Sequence, residues 1–553
     1  MGKYFEISYT PEQFDPSTGG AMPGAYGGIN VQQPENIIQP QYFPRLDDFD
    51  IRNQEIRSRP NFNATFIAPP DTNYILGIAP GFGPNAGTSG PYKVNLVAFT
   101  VGGVWRWDGT VWNLVLAGAT NVGSQFSLFV PMSWRVFQNK LYFTNASNHT
   151  YVWDGLSDTS ITPDIISITG GVTVGAIVID ELDNHLIVAN TSETAGAQPW
   201  RVRWSANGLP LVWDPTVNVN AGLADFLEVP DQITGAIMMG RVGYILRSNG
   251  ITEIAPTGNG VAPFDFNHLW ASQVGIGNII PFATGQYGPV GMIVSNDNIY
   301  QLMASGFNPV GGVARDAIMA DIGVQDFHLG PNSGGPSVMG FLTPYLVGQS
   351  AESQNVNPGT YMPYPFFTYM LFIRIPGNNT RIWIYNLEDR SWIRWTIPNL
   401  WVTARPIIAP AGTVTGNAIM LIPWQTATGT GIGAFVTSNF NDPIQGSSYA
   451  YRIEDVDINR YPTVRRVILT YRDLGKATIT VTLTGTNDNA QIVSNSVTIF
   501  IGNTVPTNTL ITRLVDLTLS AFRPQLSISR AANGGPVSIT RATILGESEE
   551  VTL

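Results

Sequence analysis

The chain has no cysteine in 553 residues. Disulfides, thiolate nucleophiles, iron–sulfur clusters and cysteine-based zinc sites are therefore excluded. Histidine is scarce: His149, His185, His268 and His328 stand far apart, with no HExxH and no paired spacing. Charged residues make up 12% of the chain, about half the usual share. Lysine occurs only at Lys3, Lys93, Lys140 and Lys476, so arginine carries almost all positive charge. No apolar run approaches the ~18 residues a membrane helix needs, and the N-terminus shows no basic stretch followed by an apolar run. The expectation is a soluble protein, or part of a soluble assembly, without membrane insertion. The Ala, Glu, Lys and Leu at helical period that coiled coils and bundles require are also missing.

What is present is turn chemistry and aromatics. There are 57 Gly and 39 Pro, spread along the whole chain, with 14 Trp, 20 Tyr and 26 Phe. Evenly spread Gly and Pro indicate many tight turns, and the aromatics can fill a large core, which argues against disorder. The net charge is −11, a poor balance for general nucleic-acid binding, which draws on Lys and Arg at phosphate. From Phe440 onward there are 10 basic and 10 acidic residues; the rest carries 19 and 30. That asymmetry suggests two bodies with different surroundings.

The dominant period is two. In Lys476–Thr484, Ala477, Ile479, Val481 and Leu483 point one way and Thr478, Thr480, Thr482 and Thr484 the other; Val497, Ile499 and Ile501 repeat the pattern. This is half-buried antiparallel strand. Only Val313–Ile322 has helical spacing, through Val313, Ala317, Ile318 and Ile322.

Short strand pairs recur, each ending in an aromatic and often an acid with a turn residue. Trp107-Asp108-Gly109 opens into Val111-Trp112, and Tyr142-Phe143 leads to Trp153-Asp154-Gly155. Trp200–Trp204 leads to Trp213-Asp214-Pro215, and Tyr244–Arg247 turns into Ile251–Ile254. Val294–Asn298 feeds Ile299–Leu302, and Arg381–Tyr385 turns into Trp392–Trp395. Steps from Trp107 through Trp153, Trp213, Ile254 and Tyr300 are 46, 60, 41 and 46 residues; the step to Trp383 is 83 and contains a Gly/Pro/Asn-rich insertion near 308–365. A period of roughly 40–50 residues built from strands is that of β-propeller blades, which bury their aromatics between neighbours.

From about Phe440 seven strands are expected in a short span: Tyr451–Asp457, Arg465–Arg472, Lys476–Thr484, Val497–Ile501, Leu514–Leu519, Leu526–Ile528 and Val537–Ile544. That is a β-sandwich. Residues 1–47 are Pro-, Gly- and Gln-rich with little periodicity and read as an extended arm, ordered against a partner. The expected fold is all-β: an N-terminal arm (1–47), a β-propeller-like domain (48–439) and a C-terminal β-sandwich (440–553).

The search for catalytic chemistry returns no site residues, metal or cofactor. Asp180, Glu181, Asp183 and His185 could hold a cation, but lack the ligand ladder with a central glycine and read as an acidic turn between Ala176–Ile179 and Leu186–Ala189. Ser295–Asn298 and Thr486–Asn489 lack the ladder too. Gly81–Gly87 and Gly429–Gly433 lack the Lys-Ser/Thr of a phosphate loop. The clusters Asp47, Asp48, Asp50 and Glu454, Asp455, Asp457 are the candidate carboxylate pairs; the first is matched by Arg45, Arg52, Arg57 and Arg59, a surface ion-pair lattice on a hairpin. The tryptophans are expected to pack between blades.

The segment from Gln198 through Trp200-Arg201-Val202-Arg203-Trp204-Ser205 to Trp213-Asp214-Pro215 resembles a phrase of bacteriophage tail proteins, a strand Arg-Val-x-Trp-Ser followed by a turn and Trp-x-Pro. Phe49–Arg52 through Arg59-Pro60 is similar to their entry strand, and Trp107-Asp108-Gly109 and Trp153-Asp154-Gly155 to their blade ends. The family is the tail nozzle or tail-hub proteins of short-tailed phages. The resemblance implies a structural virion subunit without enzyme activity, in a ring of copies (a homohexamer), touching portal, adaptor and tail-fibre or tailspike proteins. It also implies double-stranded DNA passing through the ring during ejection without sequence-specific binding. A clear gate segment is absent, and the C-terminal sandwich is a departure from the family. The acidic excess before Phe440 is expected to face the lumen in part, where it would repel phosphate. The competing readings are a receptor- or glycan-binding virion propeller and a glycosidase.

Overall fold

The structure, a computed structural model, describes most of residues 61–436 and 460–550 with short strands before and between them. The longest stretches outside the described residues are 10–27, 30–41, 84–93, 118–129, 270–279, 324–337, 344–367, 410–418, 437–447 and 453–459.

Antiparallel meanders succeed one another along residues 61–436, each built from neighbours in sequence. Blade 1 runs Ile75–Pro80, Leu96–Thr100, Gly103–Trp107, Trp112–Ala117. Blade 2 is Ser133–Phe137, Lys140–Thr144, Thr150–Trp153. Blade 3 is Val172–Leu182, His185–Glu193, Gly196–Trp204, Gly222–Asp225, with Ser167–Ile168 added. Blade 4 is Ile233–Met239, Val242–Arg247, Ile251–Pro256, Phe264–His268. Blade 5 is Gly285–Tyr287, Val290–Val294, Ile299–Met303, Gly306–Pro309. Blade 6 is Val338–Thr343, Thr368–Ile375, Asn379–Asn386, Ser391–Ile397. Blade 7 joins Trp401–Val402 and Ile407–Ala409 to Ile419–Gln425 and Thr430–Val436, and takes its outer strand, Asn61–Ile67, from before blade 1.

These sheets form a closed wheel. Phe99 and Phe143 pack between blades 1 and 2, and Tyr142 meets Ala176 and Leu186 between 2 and 3. Ile187 meets Ile245 between 3 and 4, Leu246 meets Ile293 between 4 and 5, and Met292 meets Tyr369 between 5 and 6. Trp395 packs edge-on against Phe435 between 6 and 7. Ile75 and Ala98 then meet Ile407 and Leu421, which returns blade 7 to blade 1. The chain is therefore a seven-bladed β-propeller over its described residues, closed by a strand from one end of the domain.

The blade-end phrase has a mechanical cause. Asp108 Oδ1 accepts from the Thr110 and Val111 amides, Asp154 Oδ1 from the Leu156 amide, and Asp214 Oδ1 from the Thr216 amide. Gly109 and Gly155 follow at φ 105° and 71°, where a side chain would be strained.

Six of the seven expected sandwich strands are present; the first, expected at Tyr451–Asp457, overlaps the strand Ser448–Arg452, with 453–459 outside the described residues, and the sandwich gains further strands from the start of the chain. One sheet orders Leu510–Ser520, Arg460–Arg472, Ser538–Glu550, Glu55–Ser58 and Phe49–Arg52, with Lys3–Tyr9 also on Ser538–Glu550. The other orders Arg45–Asp47, Ser448–Arg452, Phe522–Arg530, Ala477–Thr486 and Ile492–Ile501, and Arg45–Asp47 also pairs in parallel with Ser391–Ile397, which makes this sheet continuous with blade 6. Ala477, Ile479, Val481 and Leu483 are buried and the intervening threonines half-buried, the alternation read from sequence.

The boundary at 47/48 is corrected. Lys3–Tyr9 and Glu55–Ser58, the latter with Phe49–Arg52, pair with the C-terminal sandwich, Gly28 pairs with Trp392 of blade 6, and Arg45–Asp47 lies between blade 6 and Ser448–Arg452; the arm's partners are therefore the chain's own two domains, and the propeller begins at Asn61. Sequence periodicity could not show this, because the pairing joins strands hundreds of residues apart. The insertion near 308–365 is also partly blade: Val338–Thr343 belongs to blade 6. The helix is Arg315–Gly323, buried through Ile318 and Ile322. Asp321 ties it to blade 6, accepting from Arg381 at 2.6 Å and from Trp383 Nε1 at 2.8 Å.

Candidate functional site

Asp180, Glu181, Asp183 and His185 occupy a hairpin of blade 3, as the turn reading expects. Asp183 and Asn184 form the tight turn at φ 49° and 64°. His185 is buried, with Nδ1 2.6 Å from the Ser205 carbonyl and Nε2 3.3 Å from Asn207. No group of three metal-ligating side chains occurs among the described residues. The glycines of Gly429–Gly433 lie mostly in strand: a Cβ at Gly431 would strike the Trp424 ring at 2.6 Å, and one at Gly433 the Phe62 ring. They are there to admit aromatic rings. Of the Gly81–Gly87 stretch, residues 84–87 lie outside the described residues, as do His328 and the Glu454, Asp455, Asp457 cluster. The side chains of Asp47, Asp48 and Asp50 lie outside them too. None of the tryptophans among the described residues is exposed.

Sequence reasoning missed the polar groups on the propeller axis. The Arg135 guanidinium of blade 2 lies 3.4 Å from Asp180 and 3.2 Å from Glu181 of blade 3. Gln286 of blade 5 bonds both the amide and the carbonyl of Met238 in blade 4. Arg405, between the two inner strands of blade 7, donates at 2.6 Å to Thr284 beside blade 5. Burial pushes the Asp180 carboxyl above its usual range despite Arg135 and Arg405, and burial lowers the Arg405 guanidinium. Arg405 is nevertheless solvent-exposed. Asp180 and Glu181 converge on one guanidinium, which makes them a strut between blades; arginines at 135 and 405 carry no local signal that could have marked this role.

The phrase that resembles tail proteins is likewise structural. Arg201 forks onto Asp225 at 2.6 and 2.7 Å and reaches Glu193 at 3.0 Å. Arg203 forks onto Glu193 at 2.8 and 3.1 Å. Burial would raise the Glu193 carboxyl, but Arg203 and Arg201 outweigh it and hold the group below its ordinary value. Trp213 is buried and donates to the Pro210 carbonyl at 2.8 Å. Between blades 3 and 4, Arg247 is fully buried and its guanidinium nitrogens have no hydrogen-bond partner; burial lowers its pKa against the pull of Asp231.

The surface carries a second pattern. Leu209, Leu211, Val217, Val219, Leu223 and Leu227 of blade 3 are exposed, with Val261 on the outer hairpin of blade 4. On the sandwich, Phe500, Val505, Leu510 and Leu514 are exposed.

No protein-family model and no curated protein matches the chain. Among solved structures it is similar to the extracellular domain of a one component system from B. thetaiotaomicron (9% identity, TM-score 0.36), covering 82% of this chain and 47% of that one. It is also similar to an exo-beta-1,3-galactanase from Phanerochaete chrysosporium (9%, TM-score 0.24, 77% and 97% covered) and to the SapL1 lectin (12%, TM-score 0.25, 66% and 98%). The chain spans about half the length of the first. At these scores the likenesses carry no argument about function, and the fold rests on its own strand pairings. No helix among the described residues is long and apolar enough to cross a membrane.

Proposed function

We propose that this chain is a structural subunit of a short-tailed bacteriophage tail, one copy of a ring that continues the DNA-ejection channel below portal and adaptor. The observation that carries the reading is the rim of blade 3. The excursion Ser205–Ala221, which contains the resembling Trp213-Asp214-Pro215, is held rigid from within yet turns Leu209, Leu211, Val217 and Val219 outward. Apolar surface of this kind on a well-packed domain marks a protein interface. The ion pairs support the reading in another way: Arg201 and Arg203 on Glu193, Arg135 on Glu181 and Arg381 on Asp321 brace the fold. Part of the acidic excess before Phe440 faces the lumen of the assembled ring, so that DNA slides past without capture.

The propeller's own axis is bridged by Arg405, which donates to Thr284 at 2.6 Å, and is not the DNA channel, which is the hole between copies. The axial groups, exposed Arg405 and half-buried Asp180, favour a second reading, a glycan- or receptor-binding propeller.

Negative-stain imaging and mass photometry of the purified full chain, alone and mixed with portal and adaptor proteins of a short-tailed phage, test the proposal. Rings are expected. A monomer that binds a glycan array overturns it in favour of the adhesin. Turnover of a cell-surface polysaccharide that is lost on Asp180→Asn overturns it in favour of an enzyme.

A further inference from the structure

The two exposed apolar patches differ in their charge surroundings. Asp183, exposed beside the excursion whose Asn207 donates to its carbonyl, and Asp265, exposed on the outer strand of blade 4, flank the rim of blades 3 and 4, with Arg241 exposed at a hairpin of blade 4. Asp214 and Asp231 are buried and Asp225 is paired with Arg201 at 2.6 Å, so the two exposed carboxylates give the apolar rim its acidic character. Loop 256–264 adjoins the blade 3 excursion, since a Cβ on Gly260 would lie 3.1 Å from Asn220 Oδ1, and it carries the exposed Val261.

The sandwich patch has the opposite field. Lys476 Nζ stands 4.6 Å from the centre of the Phe500 ring. Arg513 donates to the Phe500 carbonyl, and Arg472 to the Asn508 carbonyl at 3.2 Å. Three cations thus surround Phe500, Val505 and Leu510. The nearby acids are occupied: Asp516 pairs with Arg466 at 2.9 Å, and Asp473 is buried in its own loop. Asp473 accepts from the Asn503 amide at 2.9 Å, Asn503 Nδ2 at 2.6 Å and Thr507 Oγ1 at 2.7 Å, which fixes the loop that displays Val505.

We propose that the rim of blades 3 and 4 of one copy docks on the sandwich loop end (Phe500, Val505, Leu510, Leu514) of the next. The occupant of each patch is a second copy of this chain. Pairing rim with rim would set acid against acid, and pairing sandwich with sandwich would set base against base; only the mixed pairing brings opposite fields together. Such an interface is head-to-tail, and a head-to-tail contact closes into a ring where the rotation between copies is a whole fraction of a turn. Both surfaces are preformed, by the excursion's turns and by Asp473, so little order is lost on docking. The proposal rests on the ring reading above and adds to it the faces and their polarity.

The test uses the full chain and two variants at exposed positions. Val217 is 73% and Phe500 56% exposed, so neither change disturbs a core. The rim variant is Val217→Asp with Val219→Asp; the sandwich variant is Phe500→Asp with Lys476→Glu. Circular dichroism and the melting midpoint confirm folding. Mass photometry should show wild-type rings and monomers for each variant alone. Mixed in equal amounts, the variants should give a species of twice the monomer mass and nothing larger, because each retains one intact face. A mixture that stays monomeric, or wild-type-like rings from both variants, overturns the docking and leaves the ring. A wild-type chain that stays monomeric at high micromolar concentration overturns both.

Discussion

The propeller and the sandwich are built from the same period-two strands but handle their edges and charges in opposite ways. Inner blade strands are buried on both faces, as in Ile75–Ala79 and Leu96–Thr100, because each blade is covered by two neighbours. Sandwich strands alternate strictly, as in Ala477–Thr486, because one face meets water. The wheel closes on itself through Asn61–Ile67 and exposes no edge at its seam, whereas the sandwich leaves Ile492–Ile501 and Leu510–Ser520 as edges. The propeller holds charge inside, at Glu193, Arg203 and Arg247; the sandwich keeps Asp473 within a network of hydrogen-bond donors. The propeller shelters ions as struts between its members, while the sandwich buries Asp473 among neutral hydrogen-bond donors and Arg530 beside the Gly535 carbonyl.

Removing residues 1–60 should have the largest effect, and mainly on one side of this comparison. It strips the strands that pair with Ser538–Glu550 and Ser448–Arg452, and the single-residue pairings of Gly28 and Asp47 on the edge of blade 6, but leaves Asn61–Ile67 in blade 7. Calorimetry should show the sandwich transition lost and the propeller transition kept; loss of both would erase the distinction. Glu193→Ala should cost the propeller about 3–5 kcal/mol in denaturant unfolding, because Arg203 and Arg201 lose a buried counter-charge. Arg247→Met should act the other way and stabilise by about 1–3 kcal/mol, since a buried guanidinium without hydrogen bonds is replaced by an apolar side chain of similar length.

The smallest expected effect concerns pH. The amides of Asn503 and Gly475 and the side chains of Thr507 and Asn503 hold the Asp473 carboxyl down at about 2, from an ordinary 3.8. A depressed carboxylate contributes stability above its unfolded value and loses it as pH falls from about 4 to about 2. Asp180 has the opposite sign: its raised value means that its contribution is present at low pH and lost as pH rises through the folded value. Asp473→Asn should therefore flatten the acid limb of the sandwich melting midpoint and leave that of the propeller unchanged. An unchanged acid limb in the sandwich would show that Asp473 does not govern it.

Legibility in the sequence followed the range of the interaction. Six of the sandwich strands and the Asp-Gly blade turns depend on neighbours within a few residues, and they were readable. Six aromatic-tipped units marked six blades. The seventh was not readable, because Trp401–Ala409 is broken into two short strands and its closing strand lies far away; Trp424 Nε1 reaches the Ala64 carbonyl across the domain. The glycine run Gly429–Gly433 has the composition of a loop, and only the Trp424 and Phe62 rings above it reveal its packing role. The axial groups Arg135, Asp180 and Arg405 come from three blades, and nothing local distinguishes these arginines from surface ones.

By itself, the order of residues determined the all-β class, the strand period, the turns and the absence of cysteine chemistry, since these depend on local backbone preference and on which atoms exist. The count of blades, the seam, the recruitment of the N-terminal strands to the far end of the chain and the facing of Arg405 to Asp180 were decided only by tertiary structure. Each is a contact between distant segments, and its free energy exists only once the wheel has closed.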